Sequence, residues 1–181
     1  MNQLPSLYLK PYVNEILTNA KWALSLIEQG EQQEGKNYET VKYYCLAVNT
    51  ADVIAQLACN TTAQGTGRKR AKKRLRALEE KYPGIPSPPQ DIRKVRNSIH
   101  HLDERMDKWL FDQLENDKKG IAYIMDSANN IEGFSNGTSS EVPFNYERRM
   151  INERELMYWE SIINIEELKI WCKSIISHFS K

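Results

Sequence analysis

The sequence has few cysteines and no long run of apolar residues. Its three cysteines, Cys45, Cys59 and Cys172, are too few and too widely spaced for a disulfide framework or a zinc knuckle. No stretch approaches the ~20 consecutive apolar residues that a transmembrane helix requires. Because the N-terminus also lacks a basic segment followed by an apolar one, we expect no signal peptide and a reducing, cytoplasmic setting.

The composition, with 40% hydrophobic and 27% charged residues, predicts one globular domain over residues 1–181. The net charge of +1 conceals an uneven distribution along the chain. Residues 1–67 have 4 basic and 6 acidic side chains, residues 68–108 have 13 and 6, and residues 109–181 have 8 and 12. A basic band between two acidic flanks indicates a local site for an anion.

Apolar residues recur at helical spacing through most of the chain. Steps of three and four predict helices over residues 7–28 and 37–58. Two long amphipathic helices joined by a short loop are expected to pack antiparallel. A basic helix is predicted over residues 68–81, and the proline-rich linker 83–89 ends it.

The most regular pattern begins at the end of this linker. Ser87 is placed to cap a helix, with Pro88 at its first position and Gln90 completing a capping box. The apolar residues that follow are spaced alternately by three and four. They predict a fourth helix over residues 88–114.

The C-terminal third has a different pattern. Glycines interrupt residues 120–163, and the short segments IAYIM and LMYWESII are rich in β-forming residues, which predicts a loop with a small β-hairpin or sheet. Asn164 followed by Glu167 marks the start of a last helix, residues 164–181. The sequence therefore predicts a mainly α domain, in which a helical core at 7–114 is followed by a small β-rich insertion.

The fourth helix contains groups that can act on a phosphodiester, namely Arg96, Asn97, His100 and His101. An imidazole can accept and return a proton near neutral pH. A guanidinium stabilises charge on a phosphate with a planar set of donors. Together with a polar support these are the minimum groups for cleavage of RNA by its own ribose 2′-hydroxyl, without a metal or a cofactor.

A regular helix does not bring all of these groups together. At 100° per residue, Arg96 and His101 lie roughly 140° apart around the helix axis, whereas His100 is nearer to Arg96 on one face. Arg96 and His101 therefore converge on one phosphate if the helix is distorted, if their side chains are long enough, or if a second subunit completes the site.

The run from Arg96 to His101, followed by Asp-Glu-Arg at positions 103–105, resembles the Arg-x4-6-His motif of the HEPN superfamily (higher eukaryotes and prokaryotes nucleotide-binding domains). The helices of residues 7–114 also look like that fold, an up-and-down helical bundle. The resemblance implies a homodimer in which two motifs form a metal-independent endoribonuclease site. Such proteins act in toxin–antitoxin, abortive-infection or CRISPR systems, which implies a cognate antitoxin or a nucleotidyltransferase-type protein as a further partner.

By the same resemblance, Arg96 and His101 are the catalytic pair and Asn97 is their polar support. We assign auxiliary roles to His100 and Asp103. The sequence departs from the family pattern at His100, a position that is usually small, and in the glycine-interrupted segment, for which we can place no counterpart. Members of this family that lack activity bind nucleic acid or protein partners instead.

Seven of the nine residues from Arg68 to Arg76 are basic and none is acidic. Like charges four residues apart weaken a helix, so we expect contact with an RNA backbone to offset the repulsion. An acidic protein partner and a plain solvated surface are the alternatives. The predicted RNA-binding residues are Arg68, Lys69, Arg70, Lys72, Lys73, Arg74, Arg76 and Arg93. Because aromatic residues are not interleaved with these charges, the sequence indicates no stacking platform for single strands.

Structural interpretations of these residues also remain open. Arg96 and His101 can lie on a solvated helix face, with ion pairs to Asp103 and Glu104. We expect three tryptophans in the core, namely Trp22, Trp159 and Trp171. Three functions follow from the sequence: an endoribonuclease, a non-catalytic module of the same fold that binds RNA or protein, and a regulatory subunit or antitoxin partner.

Overall fold

The computed structural model shows a mainly α chain with a small antiparallel sheet near its C-terminus. It describes the following residues: 6–33, 37–60, 63–105, 107–108, 148–152, 154–158 and 161–180. The helices in chain order are the 3-10 helix η1 (Ser6–Leu9), then α1 (Lys10–Glu31), α2 (Asn37–Ala58), α3 (Gly65–Lys81), α4 (Ile92–His100) and α5 (Ile165–Phe179). The strands are β1 (Arg148–Asn152), β2 (Glu155–Tyr158) and β3 (Ser161–Asn164), and β2 lies between the other two.

The α1–α2 pair forms the largest helix interface and agrees with the predicted antiparallel packing. The C-terminal part of α1 lies against the N-terminal part of α2, where Thr40 Oγ1 donates a hydrogen bond to the Gly30 carbonyl oxygen at 3.4 Å. A Cβ atom at Gly30 would lie 2.5 Å from Cε1 of Tyr44, so the close approach of the two helices requires glycine there.

The last helix begins where its capping signal predicts. The Asn164 side chain accepts a hydrogen bond from the backbone N–H of Glu167 at 3.0 Å. The helix packs on α1, and Lys169 Nζ makes an ion pair with Glu31 Oε1 at 2.7 Å. That hydrogen bond raises the pKa of Lys169 and so keeps the link between α1 and α5 charged.

The predicted β-rich segment is confirmed for the described residues of LMYWESII, which lie in β2 and β3. Leu156 of β2 lies opposite Met150 of β1 and Ile163 of β3 in the two antiparallel ladders. Leu156 and Ile163 are both buried, so this face of the sheet belongs to the core. The other predicted β segment, IAYIM, lies outside the described residues.

The predicted start of the fourth helix is wrong. Residues 83–89 are not helical, and α4 begins at Ile92 with Asp91 as N-cap residue at φ 70°. Pro88 is favourable as a first helical residue, but the residue after it is also a proline. Pro89 disfavours the α conformation of Pro88, so the proposed cap at Ser87 has no helix to follow it.

The predicted continuous helix over residues 88–114 is also interrupted at His101. His101 has φ −107° and ψ 35°, outside helical values, and residues 102–105 then form a further helical turn. Every residue from Asn97 to His101 has only modest helix propensity. The Ser98 hydroxyl also donates back to the Lys94 carbonyl at 2.9 Å, an arrangement that tends to bend helices. Residues 109–114 lie outside the described residues.

The prediction for the tryptophans is correct for Trp171 and wrong for Trp22. Trp171 is 4% exposed, and its indole N–H donates to the Pro86 carbonyl oxygen at 3.0 Å. Trp22 is 60% exposed because it lies outside the helical stripe that contains the buried Ala20 and Ala23. Trp159 lies outside the described residues. None of the described helices is long and apolar enough to cross a membrane.

Candidate functional site

Arg96 of α4 forms an ion pair with Asp52 of α2. Arg96 Nε lies 3.3 Å from Asp52 Oδ2, and Gln56 donates a second hydrogen bond to the same oxygen. Asp52 is 2% exposed, whereas 28% of the Arg96 side chain is in contact with solvent. A buried carboxylate requires such partners, because an unpaired charge in the interior is strongly unfavourable. Asp52 therefore holds the Arg96 guanidinium at the edge of the core.

Asp52 was missed as a site residue by sequence reasoning. The signal that could have found it is a charged residue within the buried stripe of α2, directly after Ala51 and four residues after Val48. A charge in such a position is rarely buried without a partner. The sequence does not indicate which cation supplies the partner, because Arg96 lies on another helix.

Arg96 and Asn97, adjacent in the sequence, form a direct side-chain hydrogen bond. Arg96 Nη1 donates to Asn97 Oδ1 at 3.1 Å. Because Nε pairs with Asp52, two of the three guanidinium nitrogen atoms, Nε and Nη1, have partners that fix the orientation of the group. A guanidinium oriented in this way loses less conformational entropy when it binds an anion.

His101 lies where α4 is interrupted, and it pairs with a different carboxylate. Its Nδ1 is 3.4 Å from Glu104 Oε2, and 52% of its side chain is exposed. Its Nε2 has no hydrogen-bond partner among the described residues. Arg96 and His101 thus have separate partners in one chain, so a single copy does not by itself join the two predicted catalytic groups.

The auxiliary residues His100 and Asp103 are both exposed. Within the described part of the chain, neither has an ion pair or a side-chain hydrogen bond. The ion pairs expected for a solvated motif helix are therefore confirmed in part. His101 pairs with Glu104 as expected. Arg96 pairs with Asp52 of α2 and not with a carboxylate of its own segment.

The basic residues of α3 lie mostly on its solvent-facing side. Ala71 and Leu78 are buried, whereas six of the eight predicted RNA-binding residues are exposed on this helix, namely Arg68, Lys69, Arg70, Lys72, Lys73 and Arg76. Arg76 Nε makes an exposed ion pair with Glu80 at 3.2 Å. The other five form no ion pair with another described residue. We call these five residues, namely Arg68, Lys69, Arg70, Lys72 and Lys73, the basic face.

Arg74 differs from its basic neighbours because its donors are used within the protein. Its Nη2 and Nε donate to the carbonyl oxygens of Gln56 and Leu57, at 2.9 and 3.2 Å. A cation at a helix C-terminus satisfies unpaired carbonyls and interacts favourably with the helix dipole. Arg74 therefore attaches α3 to the end of α2. Arg93, the remaining predicted RNA-binding residue, is exposed on α4.

Two of the cysteines, Cys59 and Cys172, have the properties of core thiols. Burial raises the pKa of Cys172 to about 12. Burial, with the nearby Glu79 charge, raises that of Cys59 to about 11. Thiols with such values are poor nucleophiles near neutral pH. Within the described ranges, no three His, Cys, Asp or Glu side chains are grouped so that they could hold a metal ion.

Two features of the described residues thus bear on function. One is the oriented Arg96 next to Asn97, with the exposed His101 five residues further along the chain, and the other is the basic face of α3. Comparison of the chain with models of known protein families, with curated proteins and with solved structures gave no match.

Proposed function

We propose that the chain is a metal-independent endoribonuclease with a HEPN-like helical bundle, acting inside the cell as a homodimer. The observation that carries this proposal is the orientation of Arg96 by a buried carboxylate, with Asn97 beside it and an exposed His101 five residues further on. A second copy of the chain supplies the opposing motif, which would bring guanidinium and imidazole groups from two chains around one phosphodiester.

The proposed reaction uses the ribose 2′-hydroxyl of the RNA as nucleophile. His101 Nε2 removes the 2′-hydroxyl proton, and the 2′-oxygen attacks the adjacent phosphorus. Arg96 stabilises the negative charge that develops on the phosphoryl oxygens. The bond between phosphorus and the 5′-oxygen breaks, and the 5′-oxygen takes a proton from the imidazolium of His101. Glu104 at Nδ1 favours the orientation that leaves Nε2 directed to solvent.

This mechanism predicts that chelators do not affect cleavage. With excess EDTA, we expect the rate on a labelled RNA to stay within about twofold of the untreated rate, because the imidazole and guanidinium supply the chemistry. The products should have a 2′,3′-cyclic phosphate or a 3′-phosphate and a 5′-hydroxyl, which end-labelling and mass spectrometry can identify. Activity that disappears in EDTA and returns with Mg²⁺, or products with a 3′-hydroxyl, would contradict the mechanism.

A second candidate function, RNA binding without cleavage, is favoured by the basic face. Five exposed cations on one helix, without an ion pair to the described residues, are an unfavourable arrangement for an isolated surface. Contact with a phosphate backbone would remove this repulsion and release counterions. This candidate needs no catalytic role for Arg96 or His101 and predicts salt-sensitive binding with no turnover.

The basic face can be tested with a charge-matched pair of double variants. We expect Arg70→Gln with Lys73→Gln to weaken RNA binding about tenfold at low salt. The number of counterions released on binding, read from the salt dependence, should fall by roughly two. Lys21→Gln with Lys173→Gln removes two exposed charges from other helices and should have little effect. Fluorescence anisotropy over a range of KCl concentrations measures both quantities. Equal losses in the two double variants would indicate net charge alone and reject the basic face as the binding site.

A further inference from the structure

The fold places two exposed tyrosines beside the basic helix, although they are far from it in sequence. η1 lies against α3, and the ring centroid of Tyr12, near the start of α1, is 5.1 Å from Cζ of Arg74. Tyr8 precedes Tyr12 by about one helical turn. Tyr8 is 61% exposed and Tyr12 36% exposed. The sequence alone indicates no such platform, because the tyrosines and the charges belong to different helices.

Tyr12 is held in place by a residue that is itself fixed. The Arg74 guanidinium donates to two carbonyl oxygens at the end of α2 and also lies over the Tyr12 ring. A cation over an aromatic face is a favourable contact that restricts the ring. Tyr12 is therefore a preorganised aromatic surface, and a ligand that stacks there loses less free energy to ordering the side chain.

One cation of the basic face, Arg70, lies on the same side of α3 as Arg74. Arg70 precedes Arg74 by one turn of α3, which places both on neighbouring parts of the same side of the helix. Arg70 is exposed, unlike Arg74, and forms no ion pair within the described residues. Exposed aromatic rings beside unpaired cations are the combination that binds single strands, with rings stacking on bases and cations following the backbone.

We propose that Tyr8 and Tyr12 stack on the bases of single-stranded RNA whose backbone follows the basic face of α3. This deepens the proposed function and rests on its RNA-binding part. A duplex would not use the tyrosines, because its bases are already stacked and paired. An acidic protein would be attracted by the cations, but its carboxylates give the exposed rings no comparable stacking partner.

Binding of a labelled single strand in the absence of cleavage tests this site. The His101→Ala chain is mixed with a fluorescent oligouridylate of about 12 nucleotides, or with the same strand annealed in a duplex. We expect Tyr8→Ala to weaken single-strand binding at least about fivefold and to leave duplex binding within twofold, because one stacked base is lost. Tyr8→Phe keeps the ring and should bind the single strand as the parent does.

The matched control is Trp22→Ala, which removes a different exposed aromatic residue. Trp22 lies about 15 Å from Tyr12 along the axis of α1. This substitution should leave single-strand binding unchanged. Tyr12→Ala should weaken binding like Tyr8→Ala, but it also removes the contact with Arg74. Tyr8→Ala therefore decides the result, and a thermal midpoint accompanies each variant.

The possible results separate this site from the proposed function. If Tyr8→Ala has no effect while Arg70→Gln with Lys73→Gln still weakens binding, stacking is rejected and backbone binding stands. If heparin or a polyglutamate competes fully and the tyrosine variants bind normally, the surface recognises charge alone and the inference is overturned. If no RNA binds at all, the inference fails together with the RNA-binding function.

Discussion

Substitution of His101 by alanine is expected to reduce RNA cleavage by at least about a hundredfold and to leave RNA binding unchanged. The expected loss follows from removal of the proposed general base, for which such contributions are typical. Folding should be little affected, because His101 is 52% exposed and its described side-chain contact is with the exposed Glu104. Single-turnover cleavage, anisotropy and a thermal unfolding curve on the same preparation measure the three quantities.

His100 provides the control for this substitution. It is the same residue type at the adjacent position and is also exposed, so His100→Ala removes the same side chain from a neighbouring site. We expect a much smaller loss of cleavage, in keeping with an auxiliary role. Full activity of His101→Ala would remove the catalytic assignment, and equal losses in both variants would show that the two histidines are not distinguished by the site.

Substitution of Arg96 by alanine is expected to lower the free energy of unfolding by about 3 kcal/mol as well as to abolish cleavage. The reason is that Asp52, at 2% exposure, is left as a buried carboxylate that has lost its ion-pair partner, an arrangement that costs several kcal/mol. For a chain of 181 residues this corresponds to a decrease in thermal midpoint of roughly 6–12 °C. Urea unfolding monitored by circular dichroism measures it.

A second substitution at Asp52 separates stability from catalysis. Asp52→Asn in the Arg96→Ala background removes the unpaired charge, so we expect most of the lost stability to return while cleavage stays absent. Arg93→Ala, an exposed arginine on the same helix, should change stability by less than about 0.5 kcal/mol. If Arg96→Ala unfolds like the parent, the ion pair does not hold Arg96, and the orientation on which the proposed function depends is lost.

The helices were predictable where local patterns are sufficient to determine them. The bounds predicted for the second helix, 37–58, are those of α2, and the Asn164 cap forms the hydrogen bond that its spacing with Glu167 predicts. Both signals act over a few residues of one chain segment. The helix does not start after Ser87, also for a local reason, because Pro89 disfavours the α conformation of Pro88.

The candidate site was predictable in its residue types but not in its contacts. The sequence indicates Arg96, Asn97 and His101 as a set, and in the structure the first two form a hydrogen bond. It also adds Asp52, which no motif contains, and assigns Arg74 to the C-terminus of α2. Such partners are fixed by how the helices pack against each other.

The sequence alone determined that the chain is mainly helical, where most helices lie, and that a basic helix precedes an arginine–histidine motif. Those properties follow from spacing and charge within single segments. The tertiary structure decided that Asp52 holds Arg96, that α4 is interrupted at His101, and that Tyr12 lies on Arg74 beside the basic face. The physical reason is that long-range packing and the burial of charge select these contacts, and neither is specified by a pattern within one helix.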